Sequence, residues 1–193
     1  MTDASDIALL VMDFQQGVVE RLGDPAVMDA ARRAVDAARQ AGVLVVYVRV
    51  AFRDGYPEVA ASNRTFAAIT AGSASFTEED PATRIHGDLK PRADEPVVVK
   101  RRVSAFAGSD LDVILRARGA RTLALAGIAT SGVVLSTLRE AADRDFGLSV
   151  LSDACADGDP EVHRVLLEKV FPRQADVLTV EDWTRTLARR ADV

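Results

Sequence analysis

Apolar positions along the chain fall into short continuous runs, separated by longer stretches in which apolar and polar positions recur with a helical period. Ile7-Ala-Leu-Leu-Val-Met12 has no polar position and is too short for an amphipathic helix, which predicts a strand buried on both faces and ended by Asp13. Asp24-Pro25 supplies an N-cap followed by proline at the first helical position, and the Ala-rich sequence after it predicts a helix to Gln40, closed by Gly42. Val43 to Val50 is a second apolar run. A strand, a helix and a strand of these lengths form a parallel, right-handed unit.

The stretch from Ala51 to Pro96 is rich in Gly, Pro, Ser and Thr, contains no clean strand pattern and allows one helix over Asn63 to Ala71. A connection this long is expected to be a lid or an oligomer arm. Pro96-Val-Val-Val99 resumes the sheet with Lys100 at its end, and Ser109-Asp-Leu-Asp112 predicts a capping box opening a helix that Gly119 terminates. Thr122 to Ala126 predicts a fourth strand, followed by the small-residue turn Gly127-Ile-Ala-Thr-Ser-Gly132 and a helix ending near Asp145. Leu148 to Ser152 predicts a fifth strand ending at Asp153, and Asp159-Pro160 opens a helix through Val170, stopped by Pro172. A sixth strand over Ala175 to Leu178 and a last helix capped by Thr179-x-x-Asp182, running toward Arg190, complete the pattern. This alternation predicts one α/β domain over residues 1–193, a doubly wound, mostly parallel six-stranded sheet with helices on both faces.

Composition narrows the function. The 193 residues carry 24 basic and 29 acidic side chains, a net charge of −5, which argues against nucleic acid or an anionic membrane as partner. The basic triplet Lys100-Arg101-Arg102 has no interleaved aromatics, and the apolar runs are too short to span a bilayer. The acidic start Met1-Thr-Asp-Ala-Ser-Asp6 lacks the parts of a signal peptide, so a cytoplasmic protein is expected. One cysteine, Cys155, cannot form an intramolecular disulfide, and two histidines, His86 and His163, offer little for a metal site or a His-based triad. Both histidines are read as structural.

In an open parallel sheet, catalytic groups lie beyond the carboxyl ends of the strands. Asp13, Lys100 and the turn Thr130-Ser131-Gly132 each follow a predicted strand, so residues almost 120 positions apart are candidates for one pocket. An Asp beside a Lys favours the charged form of both, or shuttles a proton where burial shifts either group. Taken singly, Asp13 reads more readily as a turn residue and Lys100 as part of a solvated charge run; together at two strand ends, with a glycine-bearing turn at a third, they point to a site. Gly127 and Gly132 lack the Lys and Ser/Thr that a phosphate loop requires after them, so nucleotide binding is not expected.

Four blocks carry a wider likeness: Leu10-Val-Met-Asp13-Phe-Gln-Gln; Val99-Lys100 with Ser104-Ala-Phe106; Leu125-Ala-Gly127-Ile-Ala-Thr130; and Leu151-Ser-Asp153-Ala-Cys155-Ala-Asp157. With them, the chain resembles the isochorismatase-like hydrolases, which include nicotinamidases, N-carbamoylsarcosine amidohydrolases and isochorismatases. The resemblance implies catalytic roles for Asp13 and Lys100, and a substrate or oxyanion pocket formed by Phe14, Phe106, Ala129, Thr130, Ser131 and Gly132. It places the amidases' nucleophilic cysteine at Val133, which cannot attack a carbonyl. Covalent cysteine catalysis is therefore not expected here, and Cys155 is read as a small buried residue.

The metal-site residues of nicotinamidases have no counterpart over Val50 to Tyr56, so no metal and no cofactor are expected. In the isochorismatase branch the position of Val133 is glycine and the Asp is thought to act as an acid. The Gly-[Val/Ile]-Tyr-Ala-His turn of that branch is, however, Gly127-Ile-Ala-Thr-Ser131 here. The expected function is hydrolysis of a small molecule by Asp13 and Lys100. The alternative is a non-catalytic binding or scaffold protein. A homodimer or homotetramer is the expected assembly.

Overall fold

The structure is a computed structural model that describes residues 6–22, 24–72 and 75–191. Residues 1–5 of the Met1–Asp6 stretch, on which the expectation about a leader rests, lie outside the described residues. Six strands, β1 (Ile7–Met12), β2 (Leu44–Val50), β3 (Val97–Lys100), β4 (Thr122–Ile128), β5 (Gly147–Ala156) and β6 (Asp176–Leu178), form one sheet in the order β3-β2-β1-β4-β5-β6. Every pairing is parallel. The doubly wound α/β architecture expected from the alternation of runs is the architecture observed.

Alternate strand residues feed two cores because side chains in a strand point to opposite faces. Ile7, Leu9 and Val11 of β1 pack with helices α2 (Pro25–Gln40) and α7 (Val180–Ala191) through residues such as Ala34, Trp183 and Leu187. Ala8, Leu10 and Met12 pack on the other face with α4 (Leu111–Ala117) and α5 (Leu135–Ala142). Asp24 caps α2 by accepting from the Ala26 N–H, and Thr179 caps α7 by accepting from the Asp182 N–H, as the sequence predicts.

Elsewhere the chain departs from its local signals. A short helix, α1 (Gln16–Leu22), follows β1 without a side-chain cap in the sequence to announce it. Ser109 and Asp112 do not form a capping box. Ser109 Oγ accepts from the Leu111 N–H and donates to the Ala105 carbonyl, while the Asp112 carboxylate pairs with Arg116 and Arg144. Tertiary arginines have taken the carboxylate that the capping box required.

The largest difference is β5, which continues five residues past Ser149-Val-Leu and carries Asp153 inside the strand instead of at its end. Its register against β4 jumps from Leu125 opposite Val150 to Gly127 opposite Cys155, so the strand bulges while the pairing resumes. After β5 the chain enters helix α6 (Pro160–Val165), whose cap Asp159 accepts from the Glu161 and Val162 N–H groups. Among the described residues no helix is long and apolar enough to cross a membrane.

The long connection between β2 and β3 is packed. Phe52, Phe66 and Phe76 form a small separate core joined by Tyr56, and helix α3 (Arg64–Ala71) starts at its Asn63 cap. Phe52 exchanges main-chain hydrogen bonds with Phe76 and Glu78, which ties this excursion to the end of β2.

Candidate active site

A sheet ordered this way has its switch point between β1 and β4, whose crossover connections leave in opposite directions and open a crevice at their carboxyl ends. Asp13 follows β1 at that point. Its backbone lies in the left-handed region at φ 59°, a conformation Asp tolerates better than bulky residues, and its N–H is held by the Val48 carbonyl at 2.8 Å. Gly127 of β4 sits opposite Met12. A side chain at 127 would meet the Met12 carbonyl and the Val134 side chain at 3.1 Å each, so glycine lets the strand and the following turn close up against β1.

Lys100 ends β3, two strands away, and its side chain reaches back to Asp13: Nζ lies 2.9 Å from Oδ2. The same ammonium donates to the carbonyls of Arg102 at 3.1 Å and Val103 at 3.0 Å. Its three N–H donors therefore all have acceptors. The pair is almost closed to water, with Asp13 7% and Lys100 2% exposed. Asp13 Oδ1 is buried and has no hydrogen-bond partner among the described residues. Burial pushes the Asp13 carboxyl above the usual carboxylate range, against the opposing pull of the Lys100 ammonium.

Gln15, two residues on, is wholly buried and was not singled out by the sequence. Its Nε2 donates to the Val50 and Thr83 carbonyls and its Oε1 accepts the Val50 N–H. It fastens the end of β2 and the Pro81–Thr83 turn to the segment carrying Asp13. His86 closes the same anchor, donating its N–H to the Phe14 carbonyl.

The turn after β4 opens as one wide helical turn, Thr130–Val134, before α5 begins. Thr130 and Val133 are buried, Ala129 and Gly132 are half-buried, and Ser131 is exposed. The turn was expected to offer backbone donors to a substrate oxygen. Two of these are already engaged: Ser131 N–H donates to Asp157 Oδ2 at 2.7 Å, and Gly132 N–H to the Ala129 carbonyl at 3.1 Å. The extension of β5 through Cys155 and Ala156 delivers Asp157 to the turn, which the shorter predicted strand would not have done. Thr130 Oγ1 lies 2.8 Å from His163 Nδ1 on α6. His163 therefore touches the turn directly, through a contact 33 residues apart that no local pattern announces.

The two aromatic residues expected at the pocket are packed elsewhere. Phe14 has no exposed surface and lies in the core beneath α2, and Phe106 packs against Phe146 with Arg144 over its ring. Phe14 immediately follows Asp13 and Phe106 lies six positions after Lys100, but the chain packs both rings into the cores. Among the described residues no group of three or more His, Cys, Asp or Glu side chains is arranged to hold a metal ion.

The contacts around the turn give two expectations. Burial, with a smaller push from the Asp153 carboxylate, drives the Cys155 thiol up to about 12. Native protein at neutral pH should therefore leave Ellman's reagent unreacted and release one thiol equivalent on unfolding; fast labelling of the native state would show the thiol to be accessible. Replacing His163 with Ala should cost about 1 kcal/mol by stranding the buried Thr130 hydroxyl. A double-mutant cycle with Thr130→Val, read by urea unfolding, should show that cost disappear when the hydroxyl is already gone.

Comparison with known proteins gives these contacts a context. The chain is 33% identical over 184 residues to the uncharacterized isochorismatase family protein YwoC of Bacillus subtilis, covering 94% of each chain. It is 32% identical over 208 residues to the ureidoacrylate amidohydrolase RutB of Variovorax paradoxus, covering 96% of this chain and 82% of that one. A cysteine hydrolase from Pseudomonas syringae has the same fold, with a TM-score of 0.89 at 24% identity over 98% of this chain and 95% of that one. The Isochorismatase domain model matches residues 7–182, and the chain belongs to the isochorismatase family of hydrolases.

Proposed function

We propose that this hydrolase acts on a small molecule by acid–base chemistry centred on Asp13, with Lys100 as its electrostatic partner and without a covalent cysteine step. The observation that carries the reading is the buried, unpartnered Asp13 Oδ1 beside an ammonium whose own donors are all taken. A buried polar atom without a partner costs free energy, and a ligand that supplies the missing hydrogen bond recovers it. Lys100 fixes one carboxylate oxygen and leaves the other free to meet a reacting group. Val133 stands where the family resemblance puts the amidases' thiol, and its side chain has no nucleophile.

For an amide or ureide, Asp13 would accept a proton from a water as the water oxygen bonds to the carbonyl carbon. It would then return that proton to the departing nitrogen as the carbon–nitrogen bond breaks. The raised pKa of Asp13 suits both halves of this exchange, because a carboxyl closer to neutrality takes up and releases a proton with less penalty. The RutB likeness makes ureidoacrylate one member of the panel to be tested, alongside aliphatic and aromatic amides and vinyl ethers.

A second reading is favoured by one observation, the near-complete burial of the pair. Asp13 and Lys100 would then be a structural tie between β1 and β3 in a binding protein. The panel should be followed by proton NMR, with acid-quenched samples examined by intact-mass spectrometry. Product formation without a mass adduct on the protein supports the acid–base reading. An acyl adduct on Ser131 or another side chain overturns it, and no turnover across the panel favours the structural tie.

A further inference from the structure

We infer that the outer edge of β3 is a docking groove for an extended peptide segment bearing a single carboxylate. A groove of about 710 Å³ runs beside this strand, lined by Val97 and Val99, by Arg53, Arg101 and Arg102 with Glu58 among them, and by the loop that ends at Asp110. It is separate from the Asp13 pair, whose Lys100 side chain is buried on the inner side of the same strand end.

β3 is the last strand of the sheet on this side. The Tyr47 N–H bonds to the Pro96 carbonyl and the Ala51 N–H to the Lys100 carbonyl, so the even-numbered residues of β3 face β2. In a parallel ladder the intervening residues turn both main-chain groups the other way. The N–H and C=O of Val97 and Val99 therefore point outward, and both residues line the groove. Val97 is 43% exposed although it sits in a strand. An exposed edge with free main-chain groups is the template that strand addition uses.

The charges on the rim select the occupant. Arg53 and Arg101 are both paired with Glu58, and Arg101 also with Glu78. Arg102 has no carboxylate partner among the described residues; it donates only to the neighbouring Arg101 carbonyl. Asp110 likewise has no ion-pair partner among the described residues, and it would repel a second acidic group. A single carboxylate at Arg102, on a backbone running past Val99 and Val97, satisfies both features. β3 covers roughly 10 Å from residue 97 to residue 100 and the chain bends beyond it toward Arg102, so a segment of about five or six residues reaches from Val97 to Arg102.

The test uses the full chain and a fluorescein-labelled hexapeptide, Gly-Thr-Val-Thr-Val-Glu with an amidated C-terminus, followed by fluorescence anisotropy. A matched peptide ending in Gln is the control. The Glu peptide should bind saturably, and the Gln peptide at least tenfold more weakly. Arg102→Gln should weaken the Glu peptide at least tenfold, as should Val99→Pro, which removes one outward donor and leaves the bonds to β2 in place. Arg102 is exposed, so its replacement keeps the test valid if Val99→Pro fails to fold.

Four results would overturn the inference. They are no saturable binding, equal binding of the two peptides, displacement by inorganic phosphate with Val99→Pro without effect, and dissociation of an oligomer by Val99→Pro in sedimentation. The third would mark a simple anion site, and the fourth an interface between copies of this chain.

Discussion

Asp13→Asn should lower turnover of any substrate the panel reveals by about 10²- to 10⁴-fold, the range in which a positioned acid or base contributes to a rate. Asn has nearly the shape of Asp and keeps an oxygen that can accept from Lys100 Nζ, so the geometry around the pair is preserved while the titrating group is lost. Substrate affinity should change much less than kcat, because proton transfer is realised in the transition state. The wild-type pH profile should show the rate governed by a carboxyl titrating above the ordinary range, in line with the burial of Asp13. That limb should vanish in the Asn variant. Unchanged kcat in Asp13→Asn would remove Asp13 from the chemistry and leave the pair as a structural tie.

Lys100→Met should destabilise the fold by about 3–5 kcal/mol at neutral pH, the usual consequence of leaving a buried charge without its partner. The variant also strands the Arg102 and Val103 carbonyls that now accept from Nζ. These two costs separate by their pH dependence. In the native protein burial already raises the Asp13 pKa while the Lys100 ammonium lowers it, so removing Lys100 raises it further.

A carboxyl whose folded pKa lies above its unfolded value binds its proton more tightly in the folded state. Stability therefore falls as pH rises from the unfolded value to the folded one. The Asp13 part of the loss should be absent in acid, below the unfolded pKa, and complete above the folded pKa. The carbonyl part should persist throughout. Urea unfolding between pH 4 and pH 8 measures both, and a loss that does not vary with pH would show that Asp13 is not the buried charge responsible.

These two substitutions divide the candidate readings. A catalytic Asp13 predicts that Asp13→Asn is well folded and inactive, whereas a purely structural pair predicts that its effect is on stability and that no substrate is found. The hydrogen bonds of Ser131 to Asp157 and of Thr130 with His163 bear on both, because they set the shape of the turn that follows β4, the strand beside β1. The Asp157 carboxyl, although partly buried, is held below the usual range by hydrogen bonds from Ser131 and from the main chain at Asp159 and Gly158. Its contribution is present above its unfolded pKa and is lost as pH falls through its lower folded value.

Much of the architecture was legible in the chain. Short uninterrupted apolar runs such as Ile7–Met12 read as strands buried on both faces, and Asp24-Pro25 and Thr179-x-x-Asp182 are helix starts written in nearby residues. Asp13 and Lys100 could be named because a parallel sheet collects the residues that end its strands at one edge. Periodicity and caps are local, and a single sequence states them directly.

What needed the tertiary structure was every property that depends on a partner far along the chain. The capping potential of Asp112 was overruled by Arg144, and β5 ran on because β4 still offered it a ladder past the bulge. Phe14 and Phe106, adjacent to or near site residues in sequence, turned into the cores. The Gln15 anchor, the His163 contact with Thr130 and the Asp157 hold on Ser131 each join segments more than 25 residues apart. Sequence by itself determined which residues could do chemistry at the strand ends. Only the packed chain decided that Lys100 spends all its donors and that one oxygen of Asp13 is left without a partner among the described residues, because hydrogen-bond satisfaction is settled by the neighbours folding provides.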